Sequence, residues 1–308
     1  MHNGLNSYLC SIKISYNLKF ISMKRVFYLL SMAVLPAFLA VSCNRNDDEP
    51  TPTPKEELLL PSKEEITYHD NNTLRTTVNS FTYDGTKLTK VVSVSDDEEY
   101  ATTFTYQDNL LVKVKSDEED RVFEYDSKGN LVKEIQVLSY GNTTVTDIYT
   151  YGLNGSSVNV TYNRKNVNGG ELRLEEVGTY TYTLTTNKQV AKIVGKKTST
   201  SYDGSSTYVY ETAVEENYTY DDKNSVYKNI SGFDKLGYSQ AAVKVALGGI
   251  NNVLTKSSKY NIIDDTDVYT HTDTYKYIYN DKNFPVEVER VRDEEKVVSK
   301  VEYKAVAK

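Results

Sequence analysis

The sequence predicts an all-β protein: an antiparallel meander of about 14 strands forming a barrel-like or strongly curved sheet, with one short helical insert. Three observations carry this expectation. The chain holds 27 tyrosines and no tryptophan, and it is rich in threonine; both Tyr and Thr favour a pleated, half-buried surface, with the Tyr hydroxyl expected to stay in water. An aromatic-x-aromatic motif, followed by a polar turn and an apolar residue, recurs from Phe81 to Tyr279. A single stretch, Phe233 to Ile250, departs from that pattern.

The chain opens with an address rather than with the domain. Lys24 and Arg25 precede a run from Val26 to Val41 that is apolar apart from Ser31, contains Pro36, and ends in Ala40-Val41-Ser42-Cys43. Basic, apolar and small residues in that order make a secretory signal, and the run is short for a spanning helix. Small residues at Ala40 and Ser42 resemble a lipobox, which implies diacylglycerol on the Cys43 thiol and cleavage before it. Residues 1–22 fit no signal pattern and Met23 stands where a start codon belongs, so they read as a misassigned upstream start. The expected organisation is then a signal peptide over 23–42, a lipidated cysteine and disordered tether over 43–63, and one all-β domain over 64–308. The tether carries Asp47, Asp48 and Glu49 and then alternating proline from Pro50 to Pro54, an extended spacer composition. Acidic residues soon after a lipidated cysteine resemble the surface-export signal of Bacteroides-group lipoproteins; the bland alternative is a solvated linker.

The repeat begins at Phe81-Thr82-Tyr83, Phe104-Thr105-Tyr106, Phe123-Glu124-Tyr125, Tyr149-Thr150-Tyr151, Tyr180-Thr181-Tyr182, Tyr218-Thr219-Tyr220 and Tyr277-Ile278-Tyr279. Its clearest copy continues Asp126-Ser127-Lys128-Gly129-Asn130-Leu131. Phe123 and Tyr125 share one face and Glu124 takes the other, while Asp126 and Gly129 supply local hydrogen bonding and positive φ. Each copy is one hairpin, marked by Tyr83, Tyr106, Tyr125, Tyr151, Tyr182, Tyr220 and Tyr279. Ile66-Thr67-Tyr68-His69-Asp70 reads as a degenerate extra copy. The spacing between copies grows along the chain, which implies lengthening turns at the opposite end of the sheet.

An open sheet of this size tends to curl or close, and closure removes both exposed edges. A barrel this wide leaves space that wall side chains do not fill. Ala241, Ala242, Val243, Val245, Ala246 and Leu247 before Gly248-Gly249 read as a short helix ended by glycine. That insert either packs across the concave face or serves as a surface crossover.

The seven copies, with Tyr277 to Pro285 near the end, resemble a lipoprotein domain family of unknown function, typical of Bacteroides-group bacteria and described as porin-like in fold. The resemblance spans roughly residues 65–305. Single copies such as Tyr125 to Leu131 are also similar to the YD repeats of Rhs-type shell proteins. The first resemblance implies a barrel-like sheet and no activity, and neither hands over catalytic residues. Thr, Lys and Glu alternate with the aromatics, unlike the apolar lipid-facing band of a transmembrane barrel, so the expectation is a soluble wall on a lipid anchor.

Charge and residue supply exclude several chemistries. The chain holds 36 Lys and Arg against 43 Asp and Glu. Removing the segment before Cys43 removes four bases and no acid, for a net of about −11, a balance unsuited to nucleic acid. Past Cys43 there is no further cysteine, so no internal disulfide is expected, and only His69 and His271 remain as histidines. That supply does not make a hydrolase triad or a zinc site. Asp264-Asp265-Thr266-Asp267, Asp96-Asp97-Glu98-Glu99 and Asp117-Glu118-Glu119-Asp120 offer oxygen ligands without the spacing that wraps calcium. No catalytic, cofactor or metal residue is assigned. The expected function is a non-enzymatic surface module, anchored in the outer membrane through Cys43, that presents tyrosines to a glycan or protein. A carboxylate-dependent glycan hydrolase and a scaffold subunit of a surface complex are the alternatives.

Overall fold

The computed structural model describes residues 57–307 apart from 71–72, 97, 241–248, 264–267 and 294. Cys43, the tether before Glu57, the acidic run at 264–267 and the helix expected over 241–247 therefore lie outside the described residues.

Sixteen antiparallel strands close into a barrel in chain order. They are β1 (Glu57–Asp70), β2 (Thr73–Asp84), β3 (Lys87–Ser95), β4 (Glu98–Gln107), β5 (Leu110–Lys115), β6 (Glu119–Tyr125), β7 (Leu131–Tyr140) and β8 (Thr143–Asn154), then β9 (Ser157–Asn168), β10 (Glu171–Leu184), β11 (Val190–Asp203), β12 (Ser206–Tyr220), β13 (Val253–Ile262), β14 (Val268–Tyr279), β15 (Pro285–Arg292) and β16 (Glu295–Ala307). The meander is as expected. The count is 16 rather than about 14, because the degenerate copy at Ile66 is part of a full strand, β1, which pairs with β16 to close the wall. Residues 57–63, assigned to the tether from sequence, form the start of that strand. Up to Tyr220 the growing repeat spacing comes from longer strands and not from longer opposite turns, and the last interval holds an insertion between β12 and β13: β10, β11 and β12 are joined to their neighbours at the far end by Gly169-Gly170 and Gly204-Ser205. Those glycines have positive φ, the conformation a two-residue hairpin turn requires.

Most copies of the repeat end in a β-bulge. Register shifts fall between Thr82 and Tyr83, Thr105 and Tyr106, Glu124 and Tyr125, Thr183 and Leu184, Thr219 and Tyr220, and Ile278 and Tyr279. A bulge interrupts the ladder and leaves backbone groups needing other partners. Tyrosine hydroxyls supply them: Tyr83 donates to the Pro61 carbonyl at 2.7 Å, Tyr125 to Leu111 at 2.7 Å, Tyr220 to Val190 at 2.8 Å, Tyr277 to Val253 at 2.6 Å and Tyr303 to Pro285 at 2.7 Å. Every acceptor lies at or beside the bulged end of the preceding strand. These hydroxyls are internal structural donors, contrary to the expectation that they stay wet.

The turns that follow are also a repeated device. Asp126 Oδ1 accepts from the Lys128 and Asn130 amides, and Asn280 Oδ1 accepts from Lys282 and Phe284. Asp221 Oδ1 accepts in the same way from Lys223 and from Asn252. The segment between those two residues is thus an insertion into one such turn. Its described part enters the lumen and plugs the end of the barrel that carries the repeat turns. Ile230, Phe233, Leu236 and Tyr238 are buried in the main core with Leu88, Leu111, Leu131, Val158 and Val190. Ser231 bonds Thr86 of the β2–β3 turn, Asn229 donates to the Leu59 carbonyl, and Tyr238 donates to the Leu131 carbonyl. Gly232, at φ 79°, passes so close to the β4–β5 hairpin that a Cβ there would sit 2.8 Å from the Asn109 carbonyl oxygen. Of the two placements open from sequence, the described part of the insert takes the interior one. Among its described residues it contributes a short 3-10 turn, Phe233–Leu236, ahead of the stretch where the helix is expected.

Candidate functional site: a tyrosine-lined cavity in the lumen

Above the plug the inward side chains form layers. Leu and Val where strands reopen make the lowest layer, the repeat aromatics the next, and a belt of charges the third. The belt follows from period-2 alternation, because the residue two positions before the aromatic pair faces the lumen too. Asp147 precedes Tyr149 and Tyr151, Glu216 precedes Tyr218 and Tyr220, Asp273 precedes Tyr275 and Tyr277, and Arg121 precedes Phe123 and Tyr125. A neighbouring strand supplies the counter-charge. Arg121 meets Glu134 at 2.6 Å, Arg164 grips both oxygens of Asp147 at 2.6 Å, Lys197 meets Glu176 at 2.5 Å, and Arg292 grips Asp273 at 2.7 and 2.6 Å.

Between β5 and β11 the inward groups of these layers bury one another. Glu134 and Asp147 are fully buried. Glu134 also accepts from the Tyr151 hydroxyl at 2.8 Å and the Gln240 amide of the plug at 2.9 Å. Tyr149 stacks on Tyr162 with ring centroids 4.8 Å apart. Burial pushes the Glu176 carboxyl up, but Lys197, Ser199 and Arg164 more than offset it and hold the group below the usual carboxylate range.

Between β12 and β1 the lumen stays open. A cavity of about 340 Å³ lies there, a volume at the lower end for small-molecule sites. Its walls are Tyr218 and Tyr220 of β12, Lys256 of β13, Tyr275 and Tyr277 of β14, Val288 and Arg290 of β15, Val297 and Ser299 of β16, and Glu64, Ile66 and Tyr68 of β1. Its floor is the plug, including Val226, Tyr227 and Asn252. Glu64 accepts from Ser299 at 2.5 Å, Asn79 at 3.1 Å and Tyr227 at 3.5 Å. Lys256 lies 3.5 Å from Glu216 and over the Tyr218 ring at 5.5 Å. Burial pushes Glu216 up, and Lys256 with the Tyr218 and Tyr260 hydroxyls brings it below its ordinary value. Burial raises Tyr218, Tyr220, Tyr275 and Tyr277 alike, so these four line the cavity as neutral phenols.

Of the repeat-defining tyrosines, only Tyr220 reaches this cavity. Tyr151 and Tyr182 are buried on the filled side, Tyr83, Tyr106 and Tyr125 are half-buried in the wall, and Tyr279 bonds Asp221 at the plug root. All of these but Tyr279 lie in the hydrophobic core or pack against it. His69 is exposed. His271 faces the lumen, stacks on Tyr260 at 5.8 Å and is held below its usual range by burial and then by Arg292. Among the described residues no group of three or more His, Cys, Asp or Glu is placed to hold a metal ion. Sequence reasoning missed Glu64, Lys256, Arg290 and Tyr275. The signal for Tyr275 was present as an extra alternate tyrosine before Tyr277.

The outer wall is different in kind. Glu124 and Lys133 pair directly across β6 and β7 at 3.2 Å, Lys165 and Glu175 across β9 and β10 at 3.6 Å, and Lys276 and Glu289 across β14 and β15 at 3.5 Å. No described helix is long and apolar enough to cross a membrane.

No family model and no curated protein matches the chain. Among solved structures, a porin-like protein from Bacteroides vulgatus ATCC 8482 is similar at 13% identity and TM-score 0.47, covering 80% of this chain and 98% of that one. A porin-like protein from Bacteroides uniformis ATCC 8492 is similar at 13% identity and TM-score 0.41, covering 79% and 98%. The likeness is to a fold, not to an activity.

Proposed function

We propose that this protein is an exported, lipid-anchored barrel that binds a small ligand inside its lumen and catalyses no reaction. The observation that carries the reading is the cavity itself: the β12–β1 side of the lumen leaves aromatic faces uncovered above a built floor. Entry is from the end with the β1–β2, β13–β14 and β15–β16 hairpins, since the plug occupies the other.

Cross-strand ion pairs on the outer wall support a barrel in water, because a charge facing lipid at mid-height costs several kcal/mol, about 2–4 for Lys or Arg. On this reading the membrane is reached through Cys43, on the outer membrane and the cell surface. The non-enzymatic reading is supported by the state of the carboxylates. Asp147 and Glu176 both contact the Tyr162 hydroxyl, at 3.4 and 3.1 Å, near enough for a glycosidase pair. Both are buried against cations outside the cavity, and a general acid needs a raised pKa where Glu176 has a lowered one.

Native mass spectrometry of the protein incubated with a metabolite extract tests the cavity. The expected result is a retained small molecule that is lost in Val288→Trp, which fills the cavity. Retention unchanged by that substitution would refute a lumenal site. Incorporation of labelled fatty acid, abolished by Cys43→Ala, tests the anchor.

A further inference from the structure

Hydrogen-bond accounting around the cavity narrows the ligand. Nearly every polar group on its surface already has an internal partner. Tyr220 and Tyr277 donate to bulge carbonyls, and Tyr218 donates to Glu216. Glu64 has three donors, Ser225 donates to Gly249, and Gln189 and Asn251 bond each other. What these residues still offer is ring face.

Three groups are exceptions. Arg290 bonds Glu295 through Nη2 at 2.7 Å, but its buried Nε has no partner. The Tyr68 and Tyr275 hydroxyls also make no hydrogen bond among the described residues. The three stand in one row: Tyr275 is the register partner of Arg290, Arg290 of Val297, and Val297 of Tyr68. The wall therefore carries the Arg290 guanidinium and two phenol O–H donors at one level, on strands that are contiguous from β14 through β15 and β16 to β1.

We propose that the ligand is a small ring-bearing carboxylate, its carboxylate on Arg290, Tyr68 and Tyr275 and its ring among the faces of Tyr218, Tyr220 and Tyr277. This rests on the lumenal-binding reading above and adds the chemical class. A carboxylate is acceptor-only and matches three donors, and its bonds to a guanidinium are of the strong, charge-assisted kind. A neutral sugar fits poorly. Its hydroxyls would lie against rings and committed groups, and each buried unpaired hydroxyl is costly. The volume also admits one ring compound rather than a polymer chain.

Calorimetric titration of the full chain with benzoate, benzamide, glucuronate and glucose tests this. Benzoate is expected to bind at least about tenfold more tightly than benzamide. Arg290→Gln should weaken benzoate by about ten- to a hundredfold and leave benzamide unmoved. The Tyr68→Phe/Tyr275→Phe pair, which keeps both rings, should weaken benzoate severalfold, and unchanged circular dichroism and melting confirm folding for each variant. Equal binding of benzoate and benzamide, an affinity indifferent to Arg290→Gln, or glucuronate preferred over benzoate would overturn the proposal. Should such binding still vanish in Val288→Trp, lumenal binding stands and only the ligand class falls. If no probe and no extract component responds to Val288→Trp, both readings fall.

Discussion

The two sides of the barrel use the same inward pattern to opposite ends. From β5 to β11 acids, bases and aromatics of neighbouring strands bury one another, and Glu134, Asp147 and Tyr182 end almost wholly inaccessible. From β12 to β1 the same sequence of layers stands around a cavity, and Arg290 keeps an unpaired donor. The difference teaches that the repeat specifies the wall, not the site.

If the filled side is held together by its belt, Glu134→Ala should have the largest effect on stability. It strands the Arg121 guanidinium and removes the partner of Tyr151 and of the plug amide Gln240, and losing one member of a buried pair costs about 3–5 kcal/mol. Urea denaturation should show this as a lowered midpoint. A cost near zero would mean the belt is not structural.

Truncating one valine on each side sharpens the contrast. Val160→Ala, in the filled half where Val160 is 1% exposed, should cost about 2 kcal/mol through the void it leaves. Val288→Ala enlarges space already present and should cost under about 1 kcal/mol. Equal costs would contradict the asymmetry.

The buried acids and the buried phenols respond to pH differently. Glu176 has a folded pKa below its unfolded value, so its contribution is full above about 4.3 and is lost as pH falls through the folded value. Glu176→Gln should accordingly flatten the acid limb of the stability profile. Buried tyrosines have the opposite sign. Burial raises Tyr151, Tyr162, Tyr182 and Tyr218, and it pushes Tyr238 up to about 12. The stability they confer is complete below about pH 10 and is lost as pH rises past it. Phenolate absorbance from these residues should appear together with unfolding; gradual titration of the native barrel would show that they are wet.

The sequence revealed the wall well and the lumen poorly, for physical reasons. Phe123-Glu124-Tyr125 and its relatives announce hairpins because alternation, turn chemistry and aromatic pairing all act within a few residues. The Asp126 turn is legible for the same reason. The bulges, and the tyrosine hydroxyls that serve them, require knowing which carbonyl on the neighbouring strand lies opposite. Closure through β1 and β16 pairs Glu57 with Ala307, and no local pattern encodes a contact at that separation. The ion-pair belt was half visible, as an acid two residues before each of several aromatic pairs, but its bases lie on neighbouring strands. The row of Tyr68, Arg290 and Tyr275 comes from three separate strands and needed the register to be seen.

The most direct test of a lumen divided into solid and open halves is thiol labelling of the native barrel. In a chain with Cys10 and Cys43 replaced by serine, a small maleimide should modify Val288→Cys rapidly under native conditions. It should reach Val160→Cys only at the rate of global unfolding. Comparable protection at both positions would show that the cavity is closed to solutes, and comparable reactivity would show that the β5–β11 side is not packed; either result contradicts the account.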